Sequence, residues 1–166
     1  MKTIKRILLV DDDMDIINPI QLVLESQGYE VFSANDKVKG MELAIDLKPD
    51  LAILDVMMNT QYEGFELARE IKSNPLTKGI KVAMHTSITV FTTTNPSIQD
   101  MAREVRKDPN NRDLRVVLIK NIDMGNAGID YFNEERKNIF VSIDEFIPKP
   151  MDTKKIISVI EKLQMC

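Results

Sequence analysis

IKRILLVDDD, residues 4–13, is a short run of aliphatic side chains that stops at three consecutive aspartates. A run this short and this apolar suits a strand buried on both faces of a parallel sheet. The pattern recurs. EVFSA (30–34) reads as a second strand, LAIL (51–54) as a third that ends at Asp55, and IKVAMHT (80–86) as a fourth. DEFI (144–147) reads as a last strand before Pro148-Lys149-Pro150.

Helical patterns fill the gaps. Ile16, Ile17, Ile20, Val23 and Leu24 recur at three- and four-residue spacings up to Gly28, a residue suited to end a helix. Pro19 either kinks this helix or sits at its first position behind Asn18 as cap. Asp13 suits a helix N-cap. Residues 36–48 form a second helix stopped by Pro49, and a third runs from about Gly64 to Ser73. Asp152 caps a final helix that turns Ile156, Ile157, Val159, Ile160 and Leu163 inward. Strands alternating with helices predict an α/β fold, a doubly wound parallel five-stranded sheet with helices on both faces.

The alternation breaks after Thr86. Residues 88–143 read as Asn95-Pro96 opening a helix over 97–107, a DPNN turn at 108–111, a strand at 114–119, a GNAG loop at 125–128 and a short helix over 131–138. This block carries as many basic as acidic side chains. GNAG lacks the lysine and hydroxyl of a phosphate-binding loop.

The 166 residues fit a single domain over 1–166 with an inserted segment at about 88–143. The net charge of −4 argues against a nucleic-acid binder. The basic N-terminus and the apolar run behind it are too short for a signal peptide or a membrane span. The single cysteine, Cys166, forms no internal disulfide. Together these features predict a soluble, cytoplasmic protein.

Ligands of an open parallel sheet bind beyond the carboxyl ends of its strands. At that edge this sequence places Asp11 and Asp12, Asp55, Thr86 and Lys149. Clustered carboxylates repel one another, and a divalent cation relieves them. Mg²⁺ suits a small set of hard oxygen ligands completed by water and phosphate oxygens. A carboxylate can attack phosphorus to form an aspartyl-phosphate. The cation, Lys149 and Thr86 would then stabilise charge on the transferring oxygens. His85, the only histidine, lies inside a strand and reads as a satisfied core or strand-edge residue.

ILLVDDD (7–13), LAILDVMM (51–58), EGFELAREIK (63–72), KVAMHTS (81–87) and DEFIPKP (144–150) resemble, in this order, the motifs of the receiver domain of two-component response regulators. The resemblance covers about residues 4–87 and 144–164. It implies a flavodoxin-like three-layer sandwich and a phosphoacceptor at Asp55. It implies direct Mg²⁺ ligation by Asp12, Asp55 and the backbone carbonyl of Met57, with Asp11 acting through a metal-bound water. Thr86 and Lys149 would hold phosphoryl oxygens, and Thr86 and Phe146 would form the conformational switch.

The implied phosphoryl donor is a sensor histidine kinase or a histidine phosphotransfer protein. The implied output is contact with a downstream protein, with no output enzyme, no nucleic acid and no membrane. A homodimer would form through the face of the fourth and fifth helices. Asn59 replaces the family's usual proline, the loop from Asp55 to Gly64 is one residue longer than usual, and the 88–143 block is far longer than the single helix expected there. Met57 and Ile88 stand where the family carries polar groups that position the hydrolytic water, which predicts slow loss of phosphate.

Two other readings compete. One is a degenerate receiver that binds partners without phosphorylation. The other is a phosphohydrolase of the haloacid dehalogenase type, whose first strand also ends in a D-x-D pair, here Asp11 and Asp13. That family needs further acidic residues on a late strand, where this chain has Pro148-Lys149-Pro150.

Overall fold

The structure, a computed structural model, describes residues 3–56, 58, 62–150 and 152–165. In chain order the elements are β1 (Arg6–Val10), α1 (Met14–Ser26), β2 (Glu30–Ala34), α2 (Lys37–Leu47), β3 (Leu51–Asp55), α3 (Glu63–Ser73) and β4 (Lys81–Thr86). They continue with β5 (Val90–Thr93), α4 (Ile98–Lys107), β6 (Val116–Asn121), β7 (Ala127–Phe132), β8 (Asn138–Ile143), β9 (Glu145–Pro148) and α5 (Thr153–Gln164). The chain divides into two compact units, Met1–Ser87 with Phe146–Cys166, and Ile88–Glu145.

In the first unit the strands form one sheet in the order β2-β1-β3-β4-β9. The β1–β2, β1–β3 and β3–β4 pairings are parallel. This is the flavodoxin-like order, and its switch point lies between β1 and β3. The central strands are continuous apolar runs because both of their faces are covered. On one face Ile7, Leu9, Ile53 and Ala83 pack with Ile17 and Leu24 of α1 and Ile156, Ile160 and Leu163 of α5. On the other, α2 and α3 meet the sheet. A Cβ added at Gly40 of α2 would stand 3.1 Å from Leu67 of α3 and 3.2 Å from Val10. These three layers are the sandwich that the sequence predicts.

The helix starts follow simple capping chemistry. Asp13 accepts a hydrogen bond from the Asp15 amide at 2.9 Å and caps α1. The helix therefore begins at Met14, and Pro19 lies inside it; Asn18 is not its cap. Asp36 caps α2 through the Lys39 amide, and Asp152 caps α5 through the Lys154 amide.

The second unit departs more from expectation. Its sheet runs β5-β6-β7-β8, with β5–β6 parallel and the other two pairings antiparallel. Ser97, not Asn95, caps α4, while the Asn95 side chain accepts from the Ser97 amide. The DPNN turn closes as a short 3₁₀ helix over Pro109–Asn111. The strand expected at 114–119 lies at Val116–Asn121. Ala127 and Gly128, expected in a loop, open β7.

No helix forms over 131–138. Tyr131 and Phe132 finish β7, Asn138 begins β8, and Arg136 turns the chain between them with φ 60°. Glu134, Glu135, Arg136 and Lys137 favour helix locally. Cross-strand pairing of Tyr131 with Ile139 and Asp130 with Phe140 outweighs that preference.

Polar groups buried in this unit are well partnered. The Arg106 guanidinium donates to the Asp130 carboxylate and, at 3.0 Å, to the Asp130 carbonyl, and lies 4.4 Å from the Phe132 ring centre. Asn121, fully buried, donates to the Asn95 carbonyl and accepts from the Asp123 and Met124 amides. Among the described residues, no helix is long and apolar enough to cross a membrane.

Candidate functional site

At the carboxyl edge of the first unit's sheet, the chain turns from apolar to ionisable on three neighbouring strands. Leu9, Ile53 and Ala83 belong to the core under α1 and α5. Two residues further along, on the same face by strand alternation, stand Asp11, Asp55 and His85. The register agrees: Val10 pairs with Leu54, one residue before both aspartates, and Asp55 pairs with His85. Ligating atoms of the three side chains all lie within 4.8 Å of one another, and all three residues are buried.

Lys149, on the segment after β9, donates from Nζ to Asp55 Oδ1 at 2.7 Å. Its backbone amide donates to the Thr86 carbonyl at 2.8 Å, which ties this segment to the end of β4. Thr86 is buried as the last residue of β4, and Phe146 is buried in β9. The Asp11 carboxylate accepts from the Asp13 amide at 2.9 Å. Asp12 is exposed and stands outside the close group. The backbone carbonyl of Met57 and the Asn59 position lie outside the described residues, as does Cys166.

The start of α3 presses directly on the end of β3. A Cβ added at Gly64 would lie 2.1 Å from the Asp55 carbonyl oxygen and 2.6 Å from that of Val56. Both obstacles are backbone, so only glycine fits. Sequence reading placed Gly64 at the head of a helix but had no signal for this approach, which depends on how tightly α3 folds back onto β3.

Burial dominates the electrostatics of the site. Burial pushes the Asp11 carboxyl up to about 6, and repulsion from Asp55 and Asp12 adds to this, against the Asp13 amide and Lys149. Burial also pushes the His85 imidazole down to about 4, with a smaller push from Lys149. His85 was expected to be a satisfied core histidine. It is buried, but neither ring nitrogen has a hydrogen-bond partner. An unmet buried polar group costs about 1–3 kcal/mol. Its placement was recoverable by counting: His85 precedes Thr86 on the strand beside Asp55, which turns its ring to the Asp55 side of the sheet.

Two close carboxylates with a raised Asp11 and hard oxygen donors fit a divalent cation such as Mg²⁺. Chemically, the edge combines two buried carboxylates, an ammonium, a hydroxyl and an imidazole.

The chain is similar to known proteins. A family model described as the response regulator receiver domain matches residues 7–119. The DNA-binding dual master transcriptional regulator RpaA of Synechocystis sp. is 39% identical over 83 residues, 50% of this chain and 34% of that protein. The phosphate regulon transcriptional regulatory protein PhoB of Pseudomonas aeruginosa is 40% identical over 83 residues, 50% of this chain and 36% of that protein. The chain thus spans about a third of the length of these curated relatives.

Among solved structures, a CheY-like response regulator receiver domain protein from Methanospirillum hungatei JF-1 superposes with TM-score 0.60 at 23% identity, covering 98% of this chain and 96% of that one. A response regulator from Desulfuromonas acetoxidans gives TM-score 0.60 at 18% identity, covering 97% of each chain. At these identities the structural likeness speaks for the fold.

Proposed function

The chain belongs to the response regulator receiver domain family, and from that membership we propose that Asp55 accepts a phosphoryl group from a histidine kinase or a histidine phosphotransfer protein. The observation that carries this reading is the buried Asp55 carboxylate at the end of β3, held by Lys149 at 2.7 Å. A carboxylate oxygen of Asp55 attacks phosphorus while the bond to the donor's imidazole nitrogen breaks and its electron pair leaves with that nitrogen. Lys149, already against Asp55, pairs with a phosphoryl oxygen, and the Thr86 hydroxyl donates to another. Bound Mg²⁺ supplies positive charge to the phosphoryl oxygens. Asp11 and Asp55 would hold it, with Asp12 at the exposed rim and the Met57 carbonyl as the further ligand implied by the family likeness.

Thr86 and Phe146 then act as the switch that reports the phosphorylated state. The signal passes to a downstream protein by contact, with no nucleic acid bound by these residues, and the setting is the cytoplasm. A homodimer through the last helix and its neighbouring face is one form in which that contact is made. On this reading residues 1–166 work as one receiver domain that carries an insertion at about 88–143.

Incubation of the full chain with acetyl phosphate and Mg²⁺, followed by mapping of the acyl phosphate, tests the proposal. Label on Asp55 is expected. Label on Asp11 would instead mark a phosphohydrolase of the haloacid dehalogenase type, and no label would mark a degenerate receiver.

A further inference from the structure

We infer that His85 is a nitrogen ligand of the cation site, which makes the site a mixed oxygen–nitrogen one that favours later first-row ions such as Co²⁺ or Ni²⁺ over Mg²⁺. The inference rests on reading Asp11 and Asp55 as cation ligands and goes beyond it in adding a ligand and a metal preference.

Three observations meet. First, Asp11, Asp55 and His85 form a row across β1, β3 and β4, each two residues past a core residue on the same face. Second, the ring is 2% exposed and both its nitrogens lack a partner, although one ligating nitrogen stands within 4.8 Å of an oxygen of each carboxylate. Ligands bound at roughly 2.1 Å lie at most about 4.2 Å apart, so small side-chain rotations close the set. Third, the row faces a cleft whose other walls are apolar, among them Ile16, Ile17 and Ile20 of α1. That wall offers the imidazole no hydrogen bond, so among the described residues lining the cleft the polar neighbours of His85 are Asp11 and Asp55.

Ligand chemistry gives the direction of the preference. Carboxylate-and-water sites suit Mg²⁺, Ca²⁺ and Mn²⁺, whereas imidazole suits the later first-row ions. Adding one imidazole to two carboxylates therefore strengthens Co²⁺ and Ni²⁺ binding far more than Mg²⁺ binding, with Mn²⁺ in between.

The chain contains a single histidine, so an imidazole nitrogen bound to a metal ion identifies itself. The untagged full chain, loaded with substoichiometric Mn²⁺, should show ¹⁴N coupling in pulsed electron paramagnetic resonance. His85→Leu should abolish that coupling and weaken Co²⁺ binding about tenfold or more, while Mg²⁺ affinity stays within about twofold. The wild-type spectrum decides the matter even where the variant fails to fold. Mn²⁺ binding that Asp11→Asn weakens, but that shows no nitrogen coupling, overturns the role of His85 and leaves the phosphoacceptor reading intact. Failure of the wild-type chain to bind either Mn²⁺ or Mg²⁺ overturns both.

Discussion

The two units bury polar groups in opposite ways. In the second, Asp130 and Asn121 are buried with their partners in place: Arg106 closes on Asp130, and Asn121 bonds three backbone groups. Such networks hold a fold in one arrangement and leave little reactivity. At the edge of the first unit's sheet, Asp11 is buried with a raised pKa and His85 is buried without a partner. Groups left in that state destabilise the chain unless something binds them. The difference separates a region whose polar core is closed by its own partners from one whose polar core is left open to a ligand.

The largest stability effect should come from breaking the satisfied network. Arg106→Ala leaves the Asp130 carboxylate buried and unpaired, and should cost about 3–5 kcal/mol. Chemical denaturation measures the loss, and hydrogen exchange should place it in β7. A cost below 1 kcal/mol, an approximate threshold typical of exposed pairs, would remove the contrast.

The two groups that burial shifts, Asp11 and His85, should reveal themselves through pH in metal-free protein. His85 has a lowered folded pKa, so the unfolded chain binds more protons below about 6.5, and stability is lost as pH falls toward 4. Asp11 has a raised folded pKa, so the folded chain binds more protons between 3.8 and about 6, and stability is lost as pH rises through that window. Each effect is on the order of 3 kcal/mol, and in the wild-type chain they oppose. His85→Leu removes one of them. As pH rises from 4 to 6.5 the variant should then lose about that much stability relative to the wild-type chain, in which the two contributions oppose. Parallel profiles for the two proteins would contradict the description of the site.

Gly64→Ala should cost about 2–3 kcal/mol by forcing α3 off the backbone of Asp55 and Val56. It should also slow phosphoryl transfer, since the acceptor strand moves with it. An unfolding midpoint equal to wild type would show that α3 has room to shift. The smallest effect, a several-fold change, is expected at Met57, an apolar residue where the family carries a polar one. Met57→Asn should speed the loss of phosphate from Asp55 in a timed dephosphorylation assay, and an unchanged rate would count against slow hydrolysis.

Much of the first unit was readable because its strands are short apolar runs that end in charge: ILLV before Asp11 and LAIL before Asp55 have no amphipathic alternative. Asp13, Asp36 and Asp152 announce their helices by capping chemistry. The second unit was less readable because its β7–β8 hairpin is held by contacts between strands, while its turn, Glu134 to Lys137, carries strong helix formers. Within the site, Asp55, Thr86 and Lys149 were visible as strand-end residues. The vacant hydrogen bonding of His85 and the close approach of Gly64 were not, since both depend on how neighbouring elements pack. Asp12 illustrates the same limit: two adjacent aspartates look equivalent in sequence, yet strand alternation buries one and exposes the other.

The central claim is that the edge around Asp55 is chemical. The most direct measurement is phosphoryl stoichiometry after acetyl phosphate and Mg²⁺ treatment, in the wild-type chain and in Asp55→Asn, with unfolding midpoints recorded for both. Acid-stable, hydroxylamine-labile label that approaches one equivalent in wild type and vanishes in a folded Asp55→Asn is the predicted result. Equal labelling of the two proteins, or no label in a folded wild-type chain, would contradict it.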